Sequence, residues 1–138
     1  MDVRITLNPG VFTYDLAYSL LPFTSNTVFI TDITGAEVKQ TLEDAIDYVL
    51  NGGSSGAFPY GAGIRYEATK EGKLGTRVKK IEVFDFKANK WVPIDAKKTY
   101  MLAVNSYIAK GKDGYTTLGK ITSQKRGRDT HLSDTKIF

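Results

Sequence analysis

The feature that most constrains the fold is an amphipathic segment over residues 35–50. Thr34-Gly35-Ala36-Glu37 has the pattern of a capping box, in which the threonine oxygen and the glutamate carboxylate each accept a hydrogen bond from an otherwise unpaired backbone amide. Asn51-Gly52-Gly53 is a helix-ending signal. Between these two signals, apolar residues recur at the spacing of one helical face; they are Val38, Leu42, Ala45, Ile46 and Val49. The pattern predicts a helix from Gly35 to Leu50 that packs this face into the core.

The other face of this helix carries charge. Lys39, Glu43 and Asp47 fall on it, and Asp44 follows Glu43 directly. Acidic residues on a helix surface are ordinarily solvated. We therefore interpret Glu43, Asp44 and Asp47 as exposed charge rather than as a metal site.

Strand-type patterns occur on both sides of this helix in the sequence. Alternation of apolar with polar residues, together with branched and aromatic side chains, predicts strands over residues 27–33, 64–68, 77–86, 91–94 and 100–104. A shift of the apolar parity between Val78 and Ile81 indicates a bulge. Pro93 restricts its strand to a sheet edge. The run at 100–104 is continuously apolar, which is typical of a buried strand.

The two ends of the sequence give weaker signals. Thr13 is placed to cap a short helix from Tyr14 to Leu21, which Pro22 ends. The segment from Gly119 to His131 is polar, and we interpret it as a tail whose basic residues are solvated. Those residues are Lys120, Lys125, Arg126 and Arg128.

The composition fits one globular domain. The chain has 138 residues, of which 41% are apolar and 25% charged, and this is enough to build one core. We expect a single domain over residues 1–138, of the α+β class, with short β-sheets packed against helices. The absence of cysteine excludes disulfides and thiol chemistry. No apolar stretch approaches the roughly 20 residues of a membrane-spanning helix.

A candidate binding segment follows the last predicted strand. Residues 105–115 read Asn-Ser-Tyr-Ile-Ala-Lys-Gly-Lys-Asp-Gly-Tyr. The glycines on either side of Asp113 permit a tight backbone course, and the carboxylate is an acceptor-only group. Tyr107 and Tyr115 supply aromatic faces with polar tips. The same spacing is typical of a Gly-Asp-Gly turn with two half-buried tyrosines, so both interpretations stay open at this point.

Three further segments, taken with this one, resemble a known family. Residues 20–26 read Leu-Leu-Pro-Phe-Thr-Ser-Asn, residues 55–59 read Ser-Gly-Ala-Phe-Pro, and residues 95–100 read Asp-Ala-Lys-Lys-Thr-Tyr. In this order the four segments resemble the C-terminal domain of the bacterial 5′-nucleotidase and UDP-sugar hydrolase family. That family reads Leu-Pro-Phe-Gly-Asn at the first segment and Asn-x-Phe-x-Ala-x-Gly-Gly-Asp-Gly-Tyr at the last. The resemblance extends from Val3 to about Ser133.

The resemblance implies a site for a nucleobase. Phe23 and Tyr107 stand at the family's two stacking positions, and two aromatic faces hold a flat ring without requiring a particular base. Asn26 is implied to read a polar edge of the base, and Gly56 to approach it with its backbone. Thr24-Ser25 stand where the family has one glycine, which moves the asparagine by one residue.

The resemblance also implies contacts to the sugar and the phosphate. Asp113 is expected to accept hydrogen bonds from the ribose hydroxyls. Arg4 is expected to reach the phosphate, although Met1-Asp2 stand where the family has two glycines. Lys112 replaces the second glycine before Asp113, where it can neutralise the carboxylate or contact a phosphate.

Catalysis is expected to lie outside this sequence. The family keeps its divalent metal pair in an N-terminal metallophosphoesterase domain. This sequence has one histidine, His131, without the companions of a ligand set, and we expect it to be exposed. We therefore expect no catalytic residue, metal or cofactor here, and the metallophosphoesterase domain of the same parent chain as a partner. The resemblance implies a periplasmic or secreted enzyme, although Met1-Asp2-Val3-Arg4 does not open a signal peptide.

A second class of function stays open from composition alone. The net charge of +4 mildly favours an anionic partner. Basic residues near the C terminus, together with aromatic residues on loops, are also typical of a non-enzymatic module that binds anions or single-stranded nucleic acid.

Overall fold

The computed structural model describes residues 26–133, which form helices and two small antiparallel sheets. The strands are β1 (Thr27–Thr34), β2 (Ile64–Ala68), β3 (Val78–Asp85), β4 (Lys90–Pro93), β5 (Thr99–Asn105) and β6 (Arg128–Ser133). The α-helices are α1 (Gly35–Leu50), α2 (Ser106–Ala109) and α3 (Thr116–Ser123). The α+β prediction is confirmed. The predicted helix from Tyr14 to Leu21, together with Arg4 and Phe23, lies outside the described residues.

Helix α1 begins and ends where the sequence predicts. The Thr34 Oγ1 accepts a hydrogen bond from the Glu37 N–H at 3.2 Å, and the Glu37 Oε1 accepts one from the Thr34 N–H at 3.0 Å. This is the reciprocal pairing of a capping box. Leu42, Ala45 and Ile46 are buried, which confirms the predicted core face.

The first sheet has the strand order β5-β1-β6, with both pairings antiparallel. Its central strand, β1, alternates as predicted, because Phe29, Thr31 and Ile33 are buried while the residues between them are not. The sheet therefore presents one apolar face to the core.

The expectation of a fully buried strand at 100–104 is wrong. In β5 the side chain of Met101 is 70% exposed, whereas Tyr100, Leu102 and Val104 pack against the core. The reason is the position of β5 at the edge of an antiparallel sheet, which leaves one face in water.

The second sheet has the order β2-β3-β4 and carries the predicted bulge. Arg65 lies opposite Glu82 and Glu67 lies opposite Lys79, so β3 uses one more residue than β2 over this stretch. Lys80 lies in this stretch of β3, and its backbone is left-handed, with φ of 53°. Strand β4, which contains Pro93, lies at the sheet edge as predicted.

The core is organised on two sides of α1. One cluster joins the helix to the first sheet and α3; its buried members are Ile33, Ala45, Tyr115, Leu118 and Ile121. The other joins it to the second sheet; its buried members are Leu42, Ile46, Val78 and Ile81. Val38 packs against both clusters. Helix α1 is therefore packed on two sides, whereas an amphipathic surface helix is packed on one.

This double coverage overturns the prediction that Glu43 is exposed. Glu43 is completely buried. Its Oε1 accepts a hydrogen bond from the Val78 N–H at 2.7 Å, and its Oε2 accepts one from the Gly75 N–H at 2.9 Å. The neighbouring carboxylates are also engaged, Asp44 with the Thr117 N–H and Asp47 with the Arg77 guanidinium. The expectation that these three residues are solvated charge is therefore incorrect.

The prediction of a polar tail from Gly119 to His131 is also wrong. Helix α3 buries Leu118 and Ile121, and β6 pairs with β1 through its backbone. A polar sequence does not reveal this pairing, because backbone groups supply the hydrogen bonds of the ladder. Lys120, Lys125 and Arg128 are exposed as predicted, whereas Arg126 is bound to the Glu37 carboxylate of the helix cap.

Arg126 extends the capping box of α1. Its Nη1 donates to the Glu37 Oε2 at 2.7 Å and its Nη2 to the Glu37 Oε1 at 2.9 Å. Its Nη2 also donates to the Asp32 carbonyl at 3.1 Å. This two-point hydrogen bonding holds the pKa of Glu37 down to about 2.

Candidate functional site

The start of β1 and the end of β5 bring two predicted site residues together. The strands are antiparallel, with Val28 opposite Asn105. Beyond this pair, the Thr27 N–H donates a hydrogen bond to the Ser106 Oγ at 3.0 Å. Asn26 and Tyr107 are each the next residue outward from that hydrogen bond. The pairing of the strands therefore brings the segments that contain these two residues to the same end of the sheet.

The aromatic residue at 107 is presented by a short helix. The Asn105 Oδ1 accepts a hydrogen bond from the Ile108 N–H at 2.9 Å and so caps α2. Tyr107 lies in the first turn, and 44% of it is exposed. Tyr107 is therefore only partly covered in this capped turn.

The turn at Asp113 has a strained backbone. Asp113 adopts φ of 54° and ψ of 36°, in the left-handed region. A Cβ on Gly114 would overlap the Tyr48 side chain, and one on Gly111 would lie 3.1 Å from the Gly119 Cα. Both glycines also have positive φ, so the turn needs glycine on each side. A non-glycine residue in this region costs free energy, and such residues cluster at functional sites.

The carboxylate of Asp113 is available as an acceptor. The residue is half-buried. Within residues 26–133, no backbone amide or side chain donates a hydrogen bond to it, and it forms no ion pair. A carboxylate can accept several hydrogen bonds, and a pair of neighbouring hydroxyls on a ligand would supply two.

The loop that contains Gly56 is held in place by two tyrosines. The Ser54 Oγ accepts a hydrogen bond from the Gly56 N–H at 3.2 Å. The Tyr115 Oη donates to the Ala57 carbonyl at 2.8 Å, and the Tyr66 Oη donates to the Pro59 carbonyl at 2.5 Å. Since Tyr115 follows Asp113 by two residues, the loop and the Asp113 turn are tied together.

Both tyrosines remain hydrogen-bond donors over the physiological pH range. Burial, with a smaller contribution from Tyr60, raises the pKa of Tyr66 to about 12. Burial also raises the pKa of Tyr115, with smaller contributions from Tyr66 and from Asp113.

The same loop carries two aromatic residues of different exposure. Phe58 is half-buried, and its ring centroid lies 5.0 Å from that of Tyr60. Tyr60 is 72% exposed. Phe58 also packs against the second core cluster, so it helps to anchor the loop.

The predicted site residues therefore form two groups. Asn26 and Tyr107 adjoin the hydrogen bond between Thr27 and Ser106, and Gly56 adjoins Ala57, whose carbonyl accepts a hydrogen bond from Tyr115. Sequence reasoning missed the roles of Asn105 as a helix cap and of the two tyrosine hydroxyls as loop anchors. The Asn105 cap has a local signal, since asparagine is a preferred N-cap residue after a strand. The tyrosine anchors have none, because their acceptors are distant carbonyl groups.

The described residues, 26–133, hold neither a metal-binding cluster nor a membrane-spanning helix. No group of three or more His, Asp or Glu side chains in this range is arranged to hold a metal ion. The side chain of His131 is 86% exposed, as expected. No helix in the same range is long and apolar enough to cross a membrane.

Comparison with known proteins identifies the class to which this arrangement belongs. The family described as 5′-nucleotidase, C-terminal domain, matches residues 1–120. The chain belongs to this family, which confirms the resemblance found in the sequence.

Individual relatives agree with this assignment. The chain is 54% identical over 132 residues to a probable 5′-nucleotidase of Treponema pallidum (strain Nichols), covering 95% of this chain and 22% of that protein. It is 45% identical to the NAD 5′-nucleotidase of Haemophilus influenzae, covering 99% of this chain and 23% of that protein.

Solved structures share the fold. The structure of Haemophilus influenzae NAD nucleotidase superposes with a TM-score of 0.87 at 47% identity, covering 97% of this chain and 24% of that one. The 5′-nucleotidase precursor from Thermus thermophilus superposes with a TM-score of 0.79 at 33% identity, covering 97% of this chain and 25% of that one. This chain thus spans about a quarter of the length of these relatives.

Proposed function

We propose that residues 1–138 form the substrate-binding domain of a 5′-nucleotidase. In this proposal the domain grips the nucleoside, and the bond to phosphate is hydrolysed by a metal pair in an N-terminal metallophosphoesterase domain of the parent protein. The observation that carries the proposal is the Asp113 turn, where a strained backbone holds a carboxylate with no donor among residues 26–133. Membership of the 5′-nucleotidase C-terminal domain family supports it.

Each site residue has a role that suits its chemistry. Tyr107 and Phe23 stack on the two faces of the base, and each contact contributes about 1–3 kcal/mol. Asn26 has a side-chain amide that both donates to and accepts from a polar base edge. These three residues recognise the base.

The remaining residues contact the ribose, the phosphate and, in the case of Gly56, the base. Asp113 accepts from the ribose hydroxyls. Gly56 lets the chain approach the base closely, because it has no side chain. Arg4 binds the phosphate through a guanidinium whose geometry matches phosphate oxygens.

The substrate class of the parent protein follows from the relatives as a proposal. Both of these relatives are named as 5′-nucleotidases, and we propose nucleoside 5′-phosphates as the substrate class. The NAD 5′-nucleotidase among them extends the class to dinucleotides, and nucleotide sugars share the same nucleoside part. We place the parent protein in nucleotide catabolism outside the cytoplasm, in the periplasm or secreted, in line with the precursor form of the Thermus thermophilus relative.

A chemical-shift titration with adenosine tests the binding site directly. We expect a dissociation constant around millimolar, because one small ligand must offset several kcal/mol of lost freedom without the contacts of a partner domain. Tyr107→Ala and Phe23→Ala should each weaken binding by roughly tenfold or more, the equivalent of one stacked face. Tyr107→Phe is the matched control, and it should bind almost as wild type because the ring is kept.

The sugar contact has its own variant. Asp113→Asn should weaken the binding of adenosine more than that of free adenine, because only the nucleoside has ribose hydroxyls.

Added salt should change adenosine binding little, whereas binding dominated by phosphate contacts would weaken steeply. Adenosine shifts that persist unchanged in both alanine variants would show that the nucleoside binds elsewhere, and the proposal would be abandoned.

A further inference from the structure

One buried phenol joins two segments that carry different parts of the proposed site. The Tyr115 Oη donates to the Ala57 carbonyl at 2.8 Å across 58 positions of sequence. Only 6% of Tyr115 is exposed, and its ring packs in the cluster of Ile33, Leu118 and Ile121. The ring therefore belongs to the core, while its hydroxyl reaches the loop.

A second tyrosine hydroxyl, from strand β2, also holds the Gly56 loop. The Tyr66 Oη, on β2, donates to the Pro59 carbonyl. The two anchored carbonyls bracket Phe58, so the loop is held at two points. Only the Tyr115 anchor comes from the turn that presents Asp113, since these two residues are separated by Gly114 alone.

We infer that Tyr115 is a positioning residue that sets the spacing between the Gly56 loop and the Asp113 carboxylate, and thereby the span of nucleoside that the site accepts. The inference rests on the proposed function, in which Gly56 approaches the base and Asp113 the ribose. Tyr115 does not touch the ligand in this arrangement. It aligns the two groups that do, and a ligand that engages both groups benefits from the alignment more than one that engages only one.

The hydroxyl and the ring have separable roles. Tyr115→Phe keeps the packing of the ring and removes only the hydrogen bond to Ala57. The Ala57 carbonyl then loses its donor, so the loop loses this tie to the turn while its Tyr66 anchor remains. A change confined to the hydroxyl can thus be distinguished from a loss of core packing.

The quantity to measure is the adenosine preference, which is the dissociation constant for free adenine divided by that for adenosine. Tyr115→Phe should weaken adenosine by about five- to tenfold, because binding must then restore the alignment that the hydrogen bond maintains in the wild type, and adenine by less than twofold. Thr41→Val is the matched control, because it removes a buried hydroxyl that donates to the Glu37 carbonyl at 2.8 Å within α1. Its preference for adenosine should equal that of the wild type.

A double variant tests whether Tyr115 acts through the alignment with Asp113. In an Asp113→Asn background, Tyr115→Phe should reduce the adenosine preference no further, because the ribose contact is already lost. Equal adenosine preference in Tyr115→Phe and wild type, with a reduced preference in Asp113→Asn, would overturn this inference and leave the proposed function standing. Absence of adenosine binding to the wild-type chain would overturn both.

Hydrogen exchange of the wild-type chain provides a test without any substitution. The Ala57 and Tyr115 amides are both hydrogen-bonded, to the Ser54 and Lys112 carbonyls, so their exchange is measurable. Saturating adenosine should slow the exchange of both amides together. Protection of one of them without the other would contradict the coupling and overturn the inference, whether or not the Tyr115→Phe variant folds.

Discussion

At the scale of single residues, Glu43 shows how a charge is accommodated inside this fold. A carboxylate removed from water loses its hydration, and this loss is offset only if donors replace the water. The Gly75 and Val78 amides do so at 2.9 and 2.7 Å. Because both donors belong to the segment that enters β3, the side chain also fixes that segment against α1.

Glu43→Ala should therefore destabilise the chain by about 2–4 kcal/mol, since it leaves two amides without their acceptor and opens a cavity. Urea unfolding followed by circular dichroism measures the loss. Glu71→Ala is the control, because Glu71 is an exposed glutamate on the adjoining turn and should change stability by less than about 0.5 kcal/mol. Equal stability of the two variants would contradict the role given to Glu43.

At the scale of elements, the start of α1 depends on a residue that lies far away in the sequence. Thr34 and Glu37 form the capping box within one turn, and Arg126 then binds the same carboxylate from the segment before β6. A local helix signal thus becomes a contact between α1 and the C-terminal part of the described chain. The charge of Glu37 serves both interactions.

Glu37→Gln should cost about 1–2 kcal/mol at neutral pH and little at about pH 2. The folded-state pKa of about 2 lies below the ordinary value of 4.5. The charged form therefore stabilises the fold above about pH 4.5, and the contribution is lost as the pH falls toward 2. Urea unfolding at both pH values checks this.

The matched control is Glu67→Gln, which alters an ion pair with Lys80 at 3.4 Å in which both side chains are largely exposed. Such a pair contributes little, so the variant should show almost no loss at either pH. A loss for Glu37→Gln that is equal at both pH values would show that the charge of Glu37 is not what stabilises the helix start.

At the scale of the whole molecule, two small sheets share one helix. Helix α1 has a core cluster on each side, and the loops with Gly56 and Asp113 connect to the same packing through Tyr66 and Tyr115. The Gly56 loop and the Asp113 turn therefore rest on a packed scaffold. That scaffold aligns with about a quarter of the length of the related enzymes.

We expect the 138-residue chain alone to release no phosphate from AMP or UDP-glucose in the presence of manganese, cobalt or zinc. The physical reason is that hydrolysis at a metal pair needs a set of Asp, His and Asn ligands, and the sequence holds one histidine. A phosphate-release assay measures the activity, with a complete 5′-nucleotidase as the positive control. Metal-dependent release that co-purifies with the chain and disappears in His131→Ala would contradict this expectation.

Local sequence patterns determined much of this fold because their causes are local. The capping box at Thr34, the apolar stripe of α1 and the alternation of β1 depend on neighbours within a few residues. The bulge near Lys80 and the edge position of Pro93 follow likewise from backbone geometry. The resemblance to the 5′-nucleotidase C-terminal domain family also needed only short motifs in order.

Tertiary structure alone decided the features whose partners lie far apart in the chain. The burial of Glu43 depends on amides more than 30 residues away, and the exposure of Met101 depends on which strand lies at the sheet edge. Strand β6 forms because its backbone pairs with that of β1. The side-chain pattern of this segment does not predict that pairing. The hydrogen bond from Tyr115 to the Ala57 carbonyl likewise depends on the tertiary structure, because the two segments meet only when the core has packed.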